Sequence, residues 1–326
     1  MQVARLYGAR RIELSDEPVP VPRDGESLVR ISAVGICGSD LHWFADAAIG
    51  DATLTEPLVL GHEMAGVVVT GPLAGQRVAV DPAVPCFACR PCQAGDPNLC
   101  ERIVFAGHGS TDGGMREYLT WPATRLHPLP DRLTDVDGAL LEPLGVALHA
   151  LDLAHLRLAS TVAVVGCGPI GLIAVQLALR AGATAVLAVE PLAHRRAAAA
   201  ALGAIAVSPE DAAIKEVTAD VAVEFAGTDA GLAVAIEAVR PGARVVVGGI
   251  PDAGRWTFAA APARRKGLSL VMARRMKDVY GRAIALVAAG AVDLRVVVSD
   301  RRPLHEAPSA MAHAARRTGL KTVLVP

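Results

Sequence analysis

Two textures of apolar patterning divide the chain. Over roughly the first 145 positions, short apolar runs such as SLVRISAV (27–34), MAGVVV (64–69) and QRVAV (76–80) are separated by Gly and Pro, which reads as strands joined by turns. From about 147 the pattern alternates between strand and helix. TVAVV (161–165) is a β-branched strand, and 169–181 is apolar nearly all round with Gln176 and Arg180 on one face. TAVLAV (184–189), ADVAVEFAG (219–227), GARVVVGG (242–249) and LSLVMAR (268–274) continue the strands. Between the second and third of these, a helix starts at Asp229 with Leu232, Ile236 and Val239 at helical spacing and stops at Arg240-Pro241-Gly242. Such βαβ alternation predicts an α/β unit with a parallel sheet and helices on both faces. The last fifty residues or so hold a helix near 279–289 and a short strand, KTVLV (321–325), placed to rejoin the first domain. The Ala run 197–201 fits a helix, and the chain shows no internal repeat.

Composition changes this picture in three ways. With 326 residues the chain is long enough for two domains, and with 52% apolar but only 3% aromatic residues their cores must be built from Ala, Val, Leu and Ile. The formal net charge of −1, with acids and bases interspersed, argues against nucleic acid or an anionic membrane as the main partner. The mean hydropathy of +0.39 invites a search for membrane spans, but the most apolar region, 161–189, is broken by GCGPIG, Gln176 and Arg180. The first residues, MQVARLYGAR, carry no apolar run before a cleavage site, so a reducing cytoplasmic location is expected.

That expectation bears on PCFACRPCQAGDPNLC (85–100), which holds Cys86, Cys89, Cys92 and Cys100. In a reducing compartment four clustered cysteines are metal ligands rather than disulfides. Four thiolates in so short a segment close a tetrahedral site and leave no position for substrate, which predicts a structural zinc. Fe–S ligation is the rival, but it has no second cluster motif here.

A cofactor site is predicted from Gly166-Cys167-Gly168-Pro169-Ile170-Gly171, which follows a strand and opens a helix. Gly166 allows the tight turn, Gly168 lets the backbone approach a pyrophosphate, and Gly171 permits close helix–strand packing. Glu190 closes the second strand, 19 positions after Gly171, where a carboxylate accepts from ribose hydroxyls and repels a 2′-phosphate. This favours NAD over NADP, moderated by Arg195 and Arg196. The plainer reading is a structural turn beside a solvated acid.

GICGSDLH (35–42) and GHEMAG (61–66) offer Cys37, His62 and Glu63, three suitable zinc ligands. Taken singly, the cysteine could be a small buried hydrophobe and the His-Glu pair a polar turn. In LLEPLGVALHA (140–150), Glu142 is either a buried acid needing a metal or another partner, or an exposed first-turn helix acid beside Pro143.

Taken in order, GICGSDLH, EPLVLGHEMAG, the cysteine lobe, LLEPLGVALHA, GCGPIG and GARVVVGG resemble the zinc-dependent medium-chain dehydrogenase/reductases, in particular the sorbitol (polyol) dehydrogenase branch. The resemblance covers essentially the whole chain. It implies a GroES-like, mainly-β catalytic domain over 1–146 with the zinc lobe at 85–100, a doubly wound Rossmann domain over 147–276, and a C-terminal return over 277–326. It also implies catalytic zinc on Cys37 and His62, with Glu63 as a further ligand and Glu142 binding the metal directly or through water. Ser39 and His42 match the family's proton-relay positions, and Gly248 falls on the cofactor side. Trp43, Phe105 and Arg275 fall near positions lining the polyol pocket, with Met276 where a tyrosine is usual. The stretch VVVTGPLAGQRVAV (67–80) is shorter than is typical. The expected activity is hydride transfer from a secondary alcohol to NAD, the alcohol being a polyol or sugar-derived hydroxyl. Alternatives are L-threonine, 2,3-butanediol or a sugar acid such as L-idonate as substrate, or a non-catalytic metal-binding protein that keeps the fold. The resemblance further implies a homodimer or homotetramer.

Overall fold

A computed structural model describes residues 1–211, 214, 218–251 and 254–326. The chain forms two compact units, one of Met1–Glu142 with Tyr280–Pro326 and the other of Pro143–Val279. No helix among the described residues is long and apolar enough to cross a membrane.

The first unit is built mainly of strands, as its Gly- and Pro-punctuated runs predict. Its main sheet runs in the order Leu126–Pro128, Arg77–Val80, Glu63–Thr70, Glu26–Gly35, Lys321–Val325 and Val298–Pro303, with Tyr118–Pro122 also paired to Glu26–Gly35. In the C-terminal strand Lys321–Val325, Val323 and Leu324 pair antiparallel with Gly35 and Val34. The shortened stretch is a hairpin, in which Glu63–Thr70 pairs antiparallel with Arg77–Val80. Glu26–Gly35 is buried along most of its length, and with its neighbours it feeds one core that includes Val29, Ile31, Val34, Met64, Val78 and Trp121. Each fully buried aliphatic side chain there contributes about 1.5–3 kcal/mol.

The second unit carries the predicted parallel sheet. Its six strands lie in the order Ile205–Val207, Ala185–Val189, Thr161–Val165, Ala219–Glu224, Val239–Val247 and Ser269–Met272. All five neighbouring pairs are parallel. In chain order this is 3-2-1-4-5-6, the doubly wound arrangement, whose switch point lies between Thr161–Val165 and Ala219–Glu224. Its core cluster of buried residues is wholly Ala, Val, Leu and Ile, in keeping with the scarcity of aromatic residues.

One boundary departs from the pattern. Arg240-Pro241-Gly242, expected to separate helix from strand, lies inside the strand Val239–Val247. Val239 already pairs with Ala219, and the register shift before Val221 absorbs the turn-like residues as an irregularity in the ladder.

Candidate functional site

The helix Gly38–Asp46 starts immediately after Cys37, which occupies its N-cap in extended conformation. Asp40, at the third helical position and fully buried, accepts from the Cys37 N–H at 2.9 Å through Oδ2. Its Oδ1 accepts from the Gly61 N–H at 3.2 Å and faces His62 Nδ1 at 3.4 Å. One carboxylate thus ties the cysteine's loop to the histidine's loop. A carboxylate at Nδ1 favours the proton there and leaves the Nε2 lone pair for a metal. Nε2 lies 3.4 Å from Ser39 Oγ. Burial depresses the His62 pKa, but Asp40 and Cys37 outweigh it and hold it well above the usual value.

Glu63 opens the strand Glu63–Thr70 and is fully buried. It faces Gly35 across the ladder, where an added Cβ would fall 2.0 Å from Glu63 Oε2. Lys321, on the strand beyond Gly35, sends Nζ to both Glu63 oxygens at 2.7 and 2.8 Å and to the Ile36 carbonyl at 3.0 Å. Burial lowers the Lys321 pKa, yet Glu63 and Cys37 reverse this and raise it, so the lysine stays charged.

The ligand atoms of Cys37, His62 and Glu63 all lie within 4.8 Å of one another. A thiol, an imidazole and a carboxylate so close together suit zinc with one open position. Glu142 stands outside that set. It lies well inside the helix Asp135–Ala154 and is 5% exposed, so the exposed first-turn alternative does not hold. Burial pushes its carboxyl up to about 7, with His62 and Lys321 pulling it down and Glu63 and Asp81 raising it. Glu142 therefore shares the electrostatic field of the three ligands.

The four sulfurs of Cys86, Cys89, Cys92 and Cys100 also lie within 4.8 Å of one another, and no cysteine forms a disulfide. Sulfur–sulfur distances of 3.4 Å (Cys89–Cys92) and 3.8 Å (Cys89–Cys100) match a zinc tetrathiolate, whose sulfurs sit about 3.8 Å apart. Backbone N–H groups point at the sulfurs: Cys86 and Arg102 donate to Cys100 Sγ at 3.2 and 3.4 Å, and Cys89 donates to Cys86 Sγ at 3.3 Å. Such donors and the Arg102 guanidinium lower the Cys86 thiol to about 6. Burial and the neighbouring thiols push Cys92 up to about 12.

In the second unit, Gly166 adopts φ +87°, and a Cβ there would lie 2.6 Å from Ala226 N. Gly171 is pressed so closely to the Gly166 carbonyl that a Cβ would fall 2.0 Å from it. Gly168 caps the helix Pro169–Arg180, with Pro169 and Ile170 in its first turn. Glu190 is 3% exposed and joins the glycine turn to its own loop: Oε2 accepts from Cys167 N–H at 2.8 Å and Oε1 from Leu192 N–H at 3.0 Å. Its carboxylate therefore shapes the glycine turn and keeps further lone pairs free to accept. The Arg195 guanidinium lies against Gly168, 3.6 Å from where a Cβ would stand. Gly248 donates to the Glu224 carbonyl at 2.8 Å.

Residues 23–131 match the sequence model of the alcohol dehydrogenase GroES-like domain, and residues 169–303 that of the zinc-binding dehydrogenase. Sorbitol dehydrogenase of Bacillus subtilis is 33% identical over 345 residues, covering 100% of this chain and 97% of the relative. The chain belongs to the zinc-dependent medium-chain dehydrogenase/reductase family, in its polyol dehydrogenase branch. Among solved structures, L-idonate 5-dehydrogenase of Escherichia coli superposes with a TM-score of 0.93 at 27% identity, over 100% of this chain and 98% of that one. A Sinorhizobium meliloti protein described as a zinc-binding dehydrogenase, solved with NADP, gives 0.91 at 32% identity over 100% and 99% of the two chains. This medium-chain dehydrogenase is accordingly an oxidoreductase with a GroES-like and a Rossmann-type domain.

Of the residues expected at the substrate pocket of this dehydrogenase, Trp43 is 2% exposed in the first unit's core, edge-on to His108 at 5.5 Å. Phe105 is half-buried, its ring 5.4 Å from that of His62. Arg275 takes a left-handed conformation (φ 55°), and Met276 packs its sulfur on Gly145, where a Cβ would fall 2.3 Å away. His42 is half-buried on the helix Gly38–Asp46.

Two residues of the first unit's site and one buried acid of the second unit escaped the reading of the sequence. Asp40 had a signal, since an acid three positions after an N-cap residue is a capping pattern. Lys321 had none: a lysine opening a terminal strand looks like a solvated edge residue. Glu224 is fully buried at the end of Ala219–Glu224, with Oε1 accepting from Gly227 N–H at 2.9 Å. Burial raises its carboxyl to about 7 despite the surrounding N–H groups.

Proposed function

We propose that this dehydrogenase oxidises a secondary alcohol of a polyol or sugar-derived substrate with NAD, using zinc held by Cys37, His62 and Glu63 with Glu142 close by. The observation that carries this reading is the convergence of those three ligand atoms within 4.8 Å, beside Ser39 Oγ at 3.4 Å from His62 Nε2. When bound, zinc supplies a Lewis acid to the substrate hydroxyl and NAD supplies the hydride acceptor. Ser39 takes the hydroxyl proton, and His42, three residues on in the same helix, passes it towards solvent. Asp40 orients His62, and Lys321 neutralises Glu63 within the buried site.

The Cys86, Cys89, Cys92 and Cys100 lobe holds a second, structural zinc. Gly166, Gly168, Pro169, Ile170, Gly171, Glu190, Arg195 and Gly248 form the cofactor site, where the buried Glu190 carboxylate supports NAD over NADP. Trp43, Phe105 and Arg275 belong to the substrate side. In domain terms, 1–146 is catalytic, 147–276 binds cofactor and 277–326 returns to the catalytic domain. A cytoplasmic homodimer or homotetramer completes the reading.

The test is NADH formation at 340 nm across polyols, sugar acids, L-threonine and diols, with and without a chelator. Chelator-sensitive turnover of a polyol or sugar-derived alcohol is the expected result. Turnover confined to L-threonine or a simple diol would move the substrate class. No turnover of any alcohol by the protein carrying both zincs would overturn the catalytic reading.

A further inference from the structure

The chain leaving the cysteine lobe runs directly onto the proposed catalytic histidine. At the neck of the lobe, Val104–Phe105 pairs antiparallel with Ala83–Val84, with Phe105 opposite Ala83. Ala106 then donates to the Pro82 carbonyl at 3.0 Å. The incoming strand is anchored from below, because Asp81 accepts from the Ala83 N–H at 3.0 Å and from Arg125 at 2.9 Å. Just above the neck, the Cys86 N–H to Cys100 Sγ bond closes the two arms on each other.

Two contacts link this neck to the other metal site. The Phe105 ring lies 5.4 Å from the His62 ring at an interplanar angle of 46°. Gly107 presses on Gly61, the residue before His62, so closely that a Cβ would stand 3.0 Å from the Gly61 nitrogen. On its Nδ1 side His62 meets Asp40. The imidazole is thus positioned by Asp40 and by a ring whose strand is the exit of the lobe.

We propose that the cysteine lobe holds Phe105 against His62 and thereby sets the zinc affinity of the Cys37, His62 and Glu63 site. Phe105 is the positioning residue of this coupling, which rests on the ligand assignment made above. A metal that clamps Cys86 to Cys100 fixes both arms of the neck and with them the Phe105 ring. With the lobe open, only the neck pairing and the Asp81 anchor still hold the ring, so it packs less firmly on His62 and part of the imidazole's ordering falls to metal binding. Hydrogen-bonding partners of a ligating histidine are worth about 10–100-fold in metal affinity, and a ring contact that holds the imidazole is placed at the low end of that range.

The test measures zinc retention of the full-length protein against a chromophoric chelator, with metal content counted per chain. Phe105→Ala should keep the lobe zinc and weaken the other by about tenfold. Phe105→Tyr, which keeps the ring, should restore wild-type affinity. Cys89→Ser/Cys92→Ser should weaken the remaining zinc to the same extent, and adding Phe105→Ala should weaken it no further, because both act through one contact. Affinity within about twofold of wild type in Phe105→Ala, or additive losses in the combined variant, overturns the proposal. If the double cysteine variant does not fold, the single Cys92→Ser variant takes its place, because the Phe105 variants test only the ring's half of the coupling. Cys37→Ser in the same assay separates the two levels. Retention of both zincs there means the ligand assignment itself fails, whereas loss of one zinc with normal affinity in Phe105→Ala defeats only the coupling.

Discussion

The two metal sites of the first unit differ in how far the chain must travel to make them. The lobe gathers four sulfurs from residues 86–100, using its own backbone N–H groups to receive them. The proposed catalytic site joins a helix N-cap to the head of a strand, and its neutralising lysine is 258 residues from Glu63. The second unit repeats the contrast. Its glycine turn is local, while the Glu190 that holds it accepts from an N–H 23 residues away. Local sites can be closed by metal alone, whereas distributed ones need the sheet to be in register first.

That contrast breaks most visibly on removing one ligand from each site. Cys37→Ser should cost at least about a thousandfold in kcat/KM and one zinc per chain with the fold unchanged by circular dichroism. Cys89→Ser/Cys92→Ser should instead lower the unfolding temperature by about 10 °C while NAD binding, followed by fluorescence titration, persists. A lobe variant with normal thermal stability would erase the distinction.

Next in size is Lys321→Met, which leaves the Glu63 carboxylate buried without its cation. Losing one partner of a buried pair costs about 3–5 kcal/mol, so the metal-free protein should unfold about 10 °C earlier in calorimetry. Added zinc should recover part of that loss, because Glu63 then has a metal to bind. Equal melting with and without zinc in this variant would argue against Glu63 as a ligand.

Glu224→Gln probes a buried acid that depends on its strand-end environment. The folded carboxyl keeps its proton up to about pH 7 against an ordinary 4.5, so the native state binds more protons between those values. Wild-type stability from this group therefore falls as pH rises through that window, and the full cost is felt above it. The variant lacks the cost, so its melting temperature relative to wild type should climb by roughly 5 °C between pH 5 and pH 8. A pH-independent difference would show that the acid is ionised throughout.

The smallest effect is expected at Glu190→Ala, which should shift the NAD to NADP ratio of kcat/KM by about tenfold towards NADP. An unchanged ratio would leave Glu190 with only its loop-holding role.

The legibility of these features follows the same division. The glycine turn, the cysteine spacing and the β-to-βαβ change in texture were readable because neighbours in sequence define them. Glu142 could be read only as one of two alternatives, since burial depends on what surrounds its helix. Arg240-Pro241-Gly242 signalled a break, yet parallel pairing of Val239 with Ala219 carried the strand past it. Trp43 is buried in the first unit's core beside His108, a placement its neighbours in sequence do not encode.

By itself the sequence determined which groups are available and how they are spaced: a thiol before a helix, a His-Glu pair at a strand head, four clustered cysteines and a phosphate-sized glycine turn. These are short-range properties of residue type, backbone preference and period. Only the tertiary structure decided that Asp40 orients His62, that Lys321 crosses the sheet to Glu63 over the space left by Gly35, and that Phe105 touches His62. Those contacts depend on strand register and on which side chains share a buried volume. A one-residue change of register would turn every side chain of a strand to the opposite face, without altering any local pattern.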